Sequence, residues 1–314
     1  MPLTLQPGDA LPDFLLPSEN GVSRFFYESC CGKATVLLLA KNIAAVAHLH
    51  PTDTFNLVVV LGSERHGDKP AWPVLDNAAS LCLRLSGHEQ PDLLALVLGP
   101  DLRLVTTLQA PGQAELVAEI DRLPKRRDSQ LISATAPVLM IPEVINTDIA
   151  QALLRCWQQN HSPSGMPRRQ GTERVLMPDQ TYKSRLDHSL QDKTLVAALN
   201  SALQQRILPV MARSFHYLPT RTEGFKIVAY PADQAGHFAA HRDNISPETR
   251  HRHFALSLNL NDDYEGGELV FPEFSDDRYR PPAGAALVFS GSLLHKVQPV
   301  SRGCRYVALS FLWQ

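Results

Sequence analysis

The sequence predicts two domains, an α/β domain followed by an α+β domain with an antiparallel sandwich or small barrel supported by helices. The chain has 314 residues, which is enough for two domains of ordinary size. Roughly the first 120 residues alternate apolar, β-rich runs with helical patterns, whereas helices precede many short strands beyond residue 137. This change of pattern is the basis for placing two domains in one chain.

The N-terminal part has the pattern of strands alternating with helices. Residues 34–42 and 55–63 are short apolar runs typical of buried strands, and residues 93–109 are typical of a hairpin. Helical spacing covers residues 74–87, which end at a glycine, and residues 113–123. A largely central sheet with helices packed on it is therefore expected.

A charged, turn-rich stretch at 125–129 (KRRDS) interrupts this periodicity. A charge run of this size is far more often a solvated surface than a binding patch. We therefore predict an N-terminal domain at 1–124, a linker at 125–136 and a C-terminal domain at 137–314.

The C-terminal part begins with two helices, predicted at 146–160 and 193–213, and continues with short strands beyond residue 224. Apolar residues alternate with small or polar ones in 253–261, which predicts a half-buried strand. Further strands are expected in GFKIVAY, GELVFPE, AALVFSG, LHKVQPV and CRYVALSFLW.

Composition excludes several classes of protein. The net charge of -2 gives no electrostatic case for binding nucleic acid or an anionic membrane. No run of about 20 apolar residues is present, and the N-terminus lacks a signal-peptide pattern, so a soluble cytoplasmic protein is expected. The five cysteines have no paired CxxC spacing, which indicates reduced thiols.

The pattern His241-Arg242-Asp243 places an imidazole and a carboxylate on one face of an extended segment. His295 follows 52 residues after Asp243. Two histidines and a carboxylate form the facial triad of non-haem Fe(II) oxygenases, whereas a hydrolytic zinc site usually keeps fewer open positions. With 12 histidines in the chain, HxD alone is better explained as a surface turn, and a lone His295 as a satisfied histidine at a strand end.

Arg305 lies ten residues beyond His295, after a predicted turn at 299–303 that can return it towards the histidine. A guanidinium at the floor of an apolar pocket suits the distal carboxylate of a dicarboxylic 2-oxo acid. The alternative is a surface salt bridge, which would be favoured if the histidine were absent. Arg302 is the competing anchor, but its place inside the turn disfavours it.

The segment from Tyr230 to Trp313 resembles the Fe(II)/2-oxoglutarate dioxygenases of the prolyl-4-hydroxylase type. The resemblance is carried, in order, by an upstream tyrosine, GHFAAHRDN, YEGGELVFPE, PPAGAALVFSGSLLH and the arginine after the distal histidine. It implies a double-stranded β-helix (jelly-roll) core for the C-terminal domain, with support helices beginning near residue 137.

Position by position, the resemblance implies roles for six residues. Arg305 matches the 2-oxoglutarate anchor, Tyr230 a tyrosine that helps to hold the co-substrate, and Phe311 an aromatic beside it. Leu269 departs from the family, since many prolyl hydroxylases have a threonine there that can hydrogen-bond the co-substrate. The implied iron ligands are His241, Asp243 and His295.

The activity implied by the resemblance is a hydroxylase that uses Fe(II), 2-oxoglutarate and O2, with ascorbate as reductant. It would insert oxygen into a C–H bond of a prolyl or other amino-acid residue or a small metabolite, and release succinate and CO2. Asp243 argues against a halogenase, because halide binding needs the carboxylate position vacated. The alternative is a catalytically weak binding or oxygen-sensing protein.

The N-terminal domain resembles peroxiredoxins of the thioredoxin fold over residues 3–123, through GDALPDFLLPSENG, GKATVLLLAKN and GPDLRLV. Peroxiredoxins place the peroxidatic cysteine after the strand that matches ATVLLLAKN, where this chain has IAAVAHLHP. Cys30 and Cys31 precede that strand. The resemblance therefore implies a non-catalytic thioredoxin-like domain for partner binding, dimerisation or support.

Overall fold

The computed structural model describes residues 5–17, 23–63, 72–89, 91–124, 129, 131–170, 173–177 and 180–314, with the backbone alone described for 166–170 and 173–177. The chain divides into two compact units, Met1–Ser129 and Gln130–Gln314. The division falls within the predicted linker 125–136, of which residues 125–128 and 130 lie outside the described residues.

The N-terminal unit is built on a mixed five-stranded sheet of order β5-β4-β3-β6-β7, in which β3, β4 and β5 are parallel and the hairpin β6–β7 is antiparallel. Two apolar clusters cover its two faces. The elements are β1 (Leu15–Leu16), β2 (Arg24–Phe25), α1 (Phe26–Cys30), β3 (Ala34–Ala40), β4 (Phe55–Leu61), β5 (Val74–Leu75), α2 (Ala79–Ser86), β6 (Leu93–Leu98), β7 (Leu104–Gln109) and α3 (Gln113–Asp121).

The helix predicted at 74–87 is shorter in the structure than in the prediction. Its first residues form β5, which pairs with β4 and gives the sheet an edge strand. The helix α2 ends where predicted, because Gly87 adopts a left-handed φ of 80° that suits a glycine. After β3 the chain forms a 3-10 turn, Ile43–Val46, whose first turn is capped by the side chain of Asn42.

The C-terminal unit contains three helices and sixteen strands among its described residues. They are β8 (Leu139–Ile141), α4 (Thr147–Gln159), β9 (Ser162–Pro163), β10 (Met166–Gln170), β11 (Glu173–Met177), β12 (Lys183–Ser184), β13 (Leu186–Ser189), α5 (Lys193–Ala202), α6 (Leu208–Phe215), β14 (Arg221–Thr222), β15 (Lys226–Pro231), β16 (His237–His241), β17 (Phe254–Asn259), β18 (Glu265–Gly266), β19 (Leu269–Val270), β20 (Ala286–Ser290), β21 (His295–Val297), β22 (Val300–Arg302) and β23 (Cys304–Trp313).

Two antiparallel sheets form the core of this unit. The major sheet has the order β8-β20-β17-β23-β15-β13-β9, with β14 added to β23, and the minor sheet has the order β12-β16-β21-β19. One apolar cluster contains inward residues of both sheets, among them Val228, Phe289 and Val297. A second cluster joins the other face of the major sheet to helices α4, α5 and α6. The predicted antiparallel core with support helices is therefore confirmed.

The prediction of a half-buried strand at 253–261 was wrong, because β17 is covered on both faces. Leu256 and Leu258 belong to the cluster shared with the helices, while Ala255 and Ser257 face the space between the sheets. Alternation there marks two different buried environments, one apolar and one lined by small or polar residues, rather than an inside and an outside.

The helices follow the predicted positions with one irregularity. Helix α5 continues through a single π-type segment, Leu203–Ile207, into α6, whose second residue is Pro209. Because Pro209 has no N–H, it cannot bond the carbonyl four residues back, and a widened turn accommodates it. The longest helix, α4, has 13 residues, and no helix in the described ranges is long and apolar enough to cross a membrane.

Helix α4 begins at a side-chain cap, since Asn146 Oδ1 accepts a hydrogen bond from the Ile149 N–H at 3.0 Å. Replacing Asn146 by alanine is expected to lower the free energy of unfolding by about 1 kcal/mol, because an N-terminal donor of the helix loses its acceptor. Chemical denaturation measures the change. The exposed Asn160 at the other end of α4 is the control, and an equal loss in Asn160→Ala would contradict the capping role.

Candidate active site

Two histidines face each other across the minor sheet. His241 and His295 are directly opposed Cα partners on β16 and β21, and their ring centroids are 4.3 Å apart. Between Phe238 and His241 the pairing shifts by one residue, which is a β-bulge on β16. Because of the extra residue, Phe238 and His241 share one face, and their rings stack at 3.5 Å.

Asp243 completes the cluster from the segment that follows β16. Its backbone N–H donates to the carbonyl of Gly291 at 2.9 Å, which fixes the segment beside the end of β20. One carboxylate oxygen lies 3.6 Å from His241 Nε2 and the other 3.5 Å from His295 Nε2. One ligand atom from each of these three side chains lies within 4.8 Å of the others, so the three could hold a metal ion together.

Both imidazoles are oriented by backbone carbonyls. His241 Nδ1 lies 2.8 Å from the carbonyl of Ala239, and His295 Nδ1 lies 3.0 Å from that of Leu293. A ring nitrogen this close to a carbonyl donates its proton, so Nε2 of each ring faces Asp243 and can offer a lone pair to a metal ion. This arrangement fixes both the tautomer and the orientation that a metal ligand needs.

The ionisation states in this cluster also suit metal binding. Burial lowers the pKa of His295, which keeps the ring neutral despite the nearby Asp243. Burial of Asp243 opposes its ionisation, but the neighbouring His241, His295 and Arg252 together stabilise the carboxylate, so its pKa is lowered. Two neutral nitrogens and one carboxylate form a donor set that fits Fe(II) and leaves coordination positions open.

Gly291 allows the close approach that places Asp243. A Cβ at this position would lie 2.5 Å from the carbonyl oxygen of Arg252, which is backbone and cannot move aside cheaply. We expect Gly291→Ala to displace the carboxylate of Asp243. Metal binding should weaken about tenfold or more, which is the typical cost of losing a contact that orients a metal ligand. Metal titration followed by calorimetry measures the affinity.

Gly224 provides the matched control for this substitution, because a Cβ there would meet nothing within 4 Å. Gly224→Ala should bind metal as the parent chain does. Unchanged affinity in Gly291→Ala would show that the backbone around Asp243 adapts without moving the carboxylate.

The cluster opens into a cavity of about 890 Å³ between the major and minor sheets. A cavity of this size is in the range that accommodates small ligands. From the major sheet it is lined by Ser257, Tyr230 and Arg305, and from the minor sheet by Leu269 and Val297. All six residues singled out by the sequence, His241, Asp243, His295, Arg305, Tyr230 and Phe311, contribute to its wall.

Arg305 is a buried cation inside this cavity, with 2% of its surface exposed. Its Nη2 lies 3.5 Å from Ser257 Oγ, and no carboxylate among the described residues forms an ion pair with it. A guanidinium buried without a counter-charge is costly unless a ligand supplies one. The competitor Arg302 is exposed and pairs with Glu265 at 2.6 Å, so it does not point into the site.

Tyr230 lies directly opposite Arg305 in the pairing of β15 with β23, and the Arg305 guanidinium is 5.6 Å from its ring centroid. The Tyr230 hydroxyl accepts a hydrogen bond from Arg185 Nη1 at 3.3 Å. Since this contact uses the oxygen as acceptor, the hydroxyl proton can be donated to a ligand in the cavity. Arg185 in turn forms an ion pair with Asp187 at 3.0 Å.

Phe311 and Leu269, the other two positions considered in the sequence analysis, lie in the cavity wall and offer no polar group. The guanidinium of Arg252 stacks over the ring of Phe311 at 3.9 Å, so this ring supports a cation at the cavity wall. Leu269 is 3% exposed and pairs with Val297, which makes this part of the wall apolar. A carboxylate held by Arg305 therefore has no partner at position 269.

Among the cavity residues that sequence reasoning missed, three bear on the chemistry of the site: Lys183, Arg185 and Phe238. The first two lie between the predicted helices 146–160 and 193–213, where no strand was predicted, but they belong to or adjoin β12, which pairs with β16. The available signal was the K-x-R-x-D pattern at 183–187, which spaces three charged side chains on one face of an extended segment.

Comparison with known proteins agrees with this geometry. Residues 225–313 match the model of the 2OG-Fe(II) oxygenase superfamily, a range that contains all six of these residues. The C-terminal unit therefore contains a 2OG-Fe(II) oxygenase domain.

The chain is also similar to several PKHD-type hydroxylases. It is 32% identical over 131 residues to those of two strains of Synechococcus sp., which covers 40% of this chain and 56% of each relative. It is 27% identical over 186 residues to that of Verminephrobacter eiseniae, covering 56% of this chain and 74% of the relative. The chain thus spans little more than half the length of the Synechococcus relatives.

A solved structure with similarity is the prolyl hydroxylase in complex with a hypoxia inducible factor oxygen degradation domain peptide fragment from Trichoplax adhaerens. It is 16% identical, with a TM-score of 0.47, and the alignment covers 57% of this chain and 84% of that one.

Proposed function

We propose that the chain is an Fe(II)- and 2-oxoglutarate-dependent hydroxylase whose metal ligands are His241, Asp243 and His295. The oxygenase domain at 225–313 and the similarity to PKHD-type hydroxylases support the class of reaction. The single observation that carries the proposal is one cavity with a two-histidine, one-carboxylate cluster and the unpaired, buried Arg305. This combination fits a metal ion together with an acid that carries a second, distant carboxylate.

The protein's own contribution is to bind and orient. Arg305 would hold the distal carboxylate of 2-oxoglutarate, and the Tyr230 hydroxyl would donate a hydrogen bond to the same co-substrate. The apolar wall formed by Leu269 and Val297 excludes water from the co-substrate chain. When bound, Fe(II) supplies the activation of O2, with oxidative decarboxylation of 2-oxoglutarate to succinate and CO2.

The electrostatic balance of the cavity supports this assignment. The formal charges of a divalent cation, Asp243, a dicarboxylate and Arg305 cancel, whereas without ligands Arg305 is left with no counter-charge. Binding of the dicarboxylate would thus supply Arg305 with a counter-charge. Ascorbate would act as a reductant that keeps the metal in the ferrous state.

The substrate class is proposed from the relatives. PKHD-type hydroxylases and a prolyl hydroxylase bound to a peptide fragment are among the similar proteins. We infer that the C–H bond oxidised belongs to a prolyl or other amino-acid residue, free or within a peptide, or to a small metabolite.

For the N-terminal unit we propose a thioredoxin-like domain without peroxidase activity. Its mixed sheet, with three parallel strands and an antiparallel hairpin, supports the fold. The turn Ile43–Val46 after β3 contains no cysteine, and burial raises the pKa of Cys30 to about 11, which disfavours a reactive thiolate. Its role would be partner binding, dimerisation or support.

The proposal is tested by incubating the purified chain with Fe(II), ascorbate, O2 and 2-oxoglutarate and measuring succinate. A screen of amino acids and peptides should identify compounds that stimulate succinate formation and gain the mass of one oxygen atom. No succinate above a metal-free control, with or without these compounds, would contradict the proposal and favour a binding or sensing protein.

A further inference from the structure

A second buried cation lies in the same cavity, apart from the residues assigned to the metal and 2-oxoglutarate. Lys183 is 7% exposed and lines the cavity from β12. Its Nζ donates one hydrogen bond to the carbonyl of Gly165 at 2.9 Å and lies 5.3 Å from the ring centroid of Phe238. An ammonium has three protons to donate, and a single carbonyl leaves most of that capacity unused.

The other cations at the cavity wall are balanced, exposed or already assigned. Lys226 is exposed, and Arg305 faces the co-substrate. Three arginines are paired with carboxylates: Arg185 with Asp187 at 3.0 Å, Arg252 with Glu223 at 2.7 Å, and Arg242 with Glu273 at 2.7 Å. Within the described part of the chain, no carboxylate forms an ion pair with Lys183.

Charge balance indicates what Lys183 requires. Once a divalent metal and 2-oxoglutarate are bound, their charges cancel with those of Asp243 and Arg305. Among the described residues of the cavity, Lys183 is then the one buried charge without an ion-pair partner. A ligand with one negative charge would neutralise it, whereas a doubly charged group would leave an excess negative charge in a buried site.

The position of Lys183 relative to the metal cluster favours a substrate site. In the minor sheet Lys183 and Phe238 are directly paired, and the Phe238 ring stacks on His241 at 3.5 Å. The ring therefore links the ammonium to the metal cluster. The ring of Tyr182 packs edge-on against Phe238 at 5.7 Å, which adds apolar surface beside the cation.

We propose that the substrate is a monocarboxylate with an apolar body, whose carboxylate binds Lys183 while its apolar part packs on Phe238. This inference rests on the proposed function for the metal half of the site. The carboxylate belongs either to a small free acid or to an acidic side chain of a peptide. Binding of such a substrate would give Lys183 the counter-charge that it lacks in the unliganded protein.

The unliganded protein should show the cost of this charge. Burial and the nearby Arg185 and Lys226 lower the pKa of Lys183 to about 8 from 10.5, with Asp187 opposing the shift. Between these values the unfolded chain binds more protons than the folded chain, so stability rises with pH across this window. Below pH 8 the folded protein bears the full cost of the buried charge.

Lys183→Met is therefore expected to raise the melting temperature of the metal-free full chain at pH 7 by roughly 3–8 °C, and to leave it near that of the parent chain at pH 10.5. Lys193→Met removes an exposed lysine that does not line the cavity, and it should change neither value. Equal or lower stability of Lys183→Met at pH 7 would show that the charge is already compensated, and would overturn the proposal.

Binding is tested by calorimetry with the full chain, Fe(II) and saturating 2-oxoglutarate without oxygen. The probes are N-acetylproline against N-acetylprolinamide, and a blocked Ala-Glu-Ala peptide against Ala-Gln-Ala. We expect the parent chain, Lys183→Arg and the control Lys193→Met to bind one carboxylate at least about tenfold more tightly than its amide, and Lys183→Met to show no preference. A carboxylate preference with the N-acetylproline pair would indicate a small free acid as substrate, and a preference with the tripeptide pair would indicate an acidic side chain of a peptide.

Two outcomes of the binding experiment would overturn the proposal: no carboxylate preference in the parent chain, or a preference that survives in Lys183→Met. Tighter binding of a phosphorylated probe, O-phosphoserine in a blocked tripeptide, would also overturn the assignment of a singly charged group. Failure of the proposed function would appear earlier, as absence of 2-oxoglutarate binding before any probe is added, while the melting measurements on metal-free protein remain decisive for Lys183.

Discussion

Replacing Asp243 by alanine is expected to abolish turnover of 2-oxoglutarate. The carboxylate lies between the two histidines, 3.6 Å and 3.5 Å from their Nε2 atoms, and is the one anionic donor of the cluster. Without it, two neutral imidazoles would hold a divalent cation with no charge to offset it. Since loss of contacts that merely orient a ligand costs about 10–100-fold in metal affinity, loss of the ligand itself should cost about 100-fold or more.

The measurement for Asp243→Ala combines Fe(II) affinity under anaerobic conditions with succinate formation at saturating metal. Asp233→Ala removes an exposed carboxylate from the same unit and should retain both properties. Succinate formation by Asp243→Ala at a rate close to that of the control would disprove the role of this residue as a ligand.

Replacing Arg305 by methionine is expected to raise the Kd for 2-oxoglutarate roughly 30- to 1,000-fold, corresponding to about 2–4 kcal/mol, because a buried charge loses its partner. The guanidinium is 2% exposed and has no carboxylate partner among the described residues, so a bound carboxylate would interact with it free of competition. Fe(II) affinity should remain unchanged, since the charged end of Arg305 is not part of the metal cluster.

Weakened 2-oxoglutarate binding with unchanged Fe(II) binding would distinguish Arg305→Met from a misfolded variant, which would lose both. Arg305→Lys should restore part of the 2-oxoglutarate binding, because the charge is kept while the paired donors of the guanidinium are lost. Arg302→Met removes the exposed arginine that pairs with Glu265 and should leave both affinities intact. An unchanged Kd for 2-oxoglutarate in Arg305→Met would place the co-substrate carboxylate elsewhere.

The proposed metal ligands and Arg305 could be chosen from the sequence because their spacing and order follow the pattern of the family it resembles, and the structure brings these side chains to one cavity. His241 and Asp243 are two residues apart, and Arg305 follows His295 after one reversal of the chain. The predicted helix at 193–213 also formed, but its π-type segment was not foreseen, since Pro209 could equally have ended the helix.

The rest could not be predicted because it depends on pairing between distant segments. Lys183 enters the cavity only because β12 pairs with β16, more than 50 residues later in the chain. The stacking of Phe238 on His241 depends on a bulge that reverses the facing expected from strand alternation. Likewise, the alternation of 253–261 gave the strand but not the second layer that buries its other face.

The strand pairing of the minor sheet also separates the cavity-lining side chains that can be substituted from the proposed metal ligands. His241 and His295 form one row across the strands, while Lys183, Phe238, Val297 and Leu269 form a neighbouring row. Each strand contributes one side chain to the second row, and none of the four is a proposed metal ligand, so a point mutation there alters the shape or charge of the cavity while the ligand side chains are kept. Divergence towards new substrates, in nature or in the laboratory, therefore has a route through this row that preserves the reactive centre.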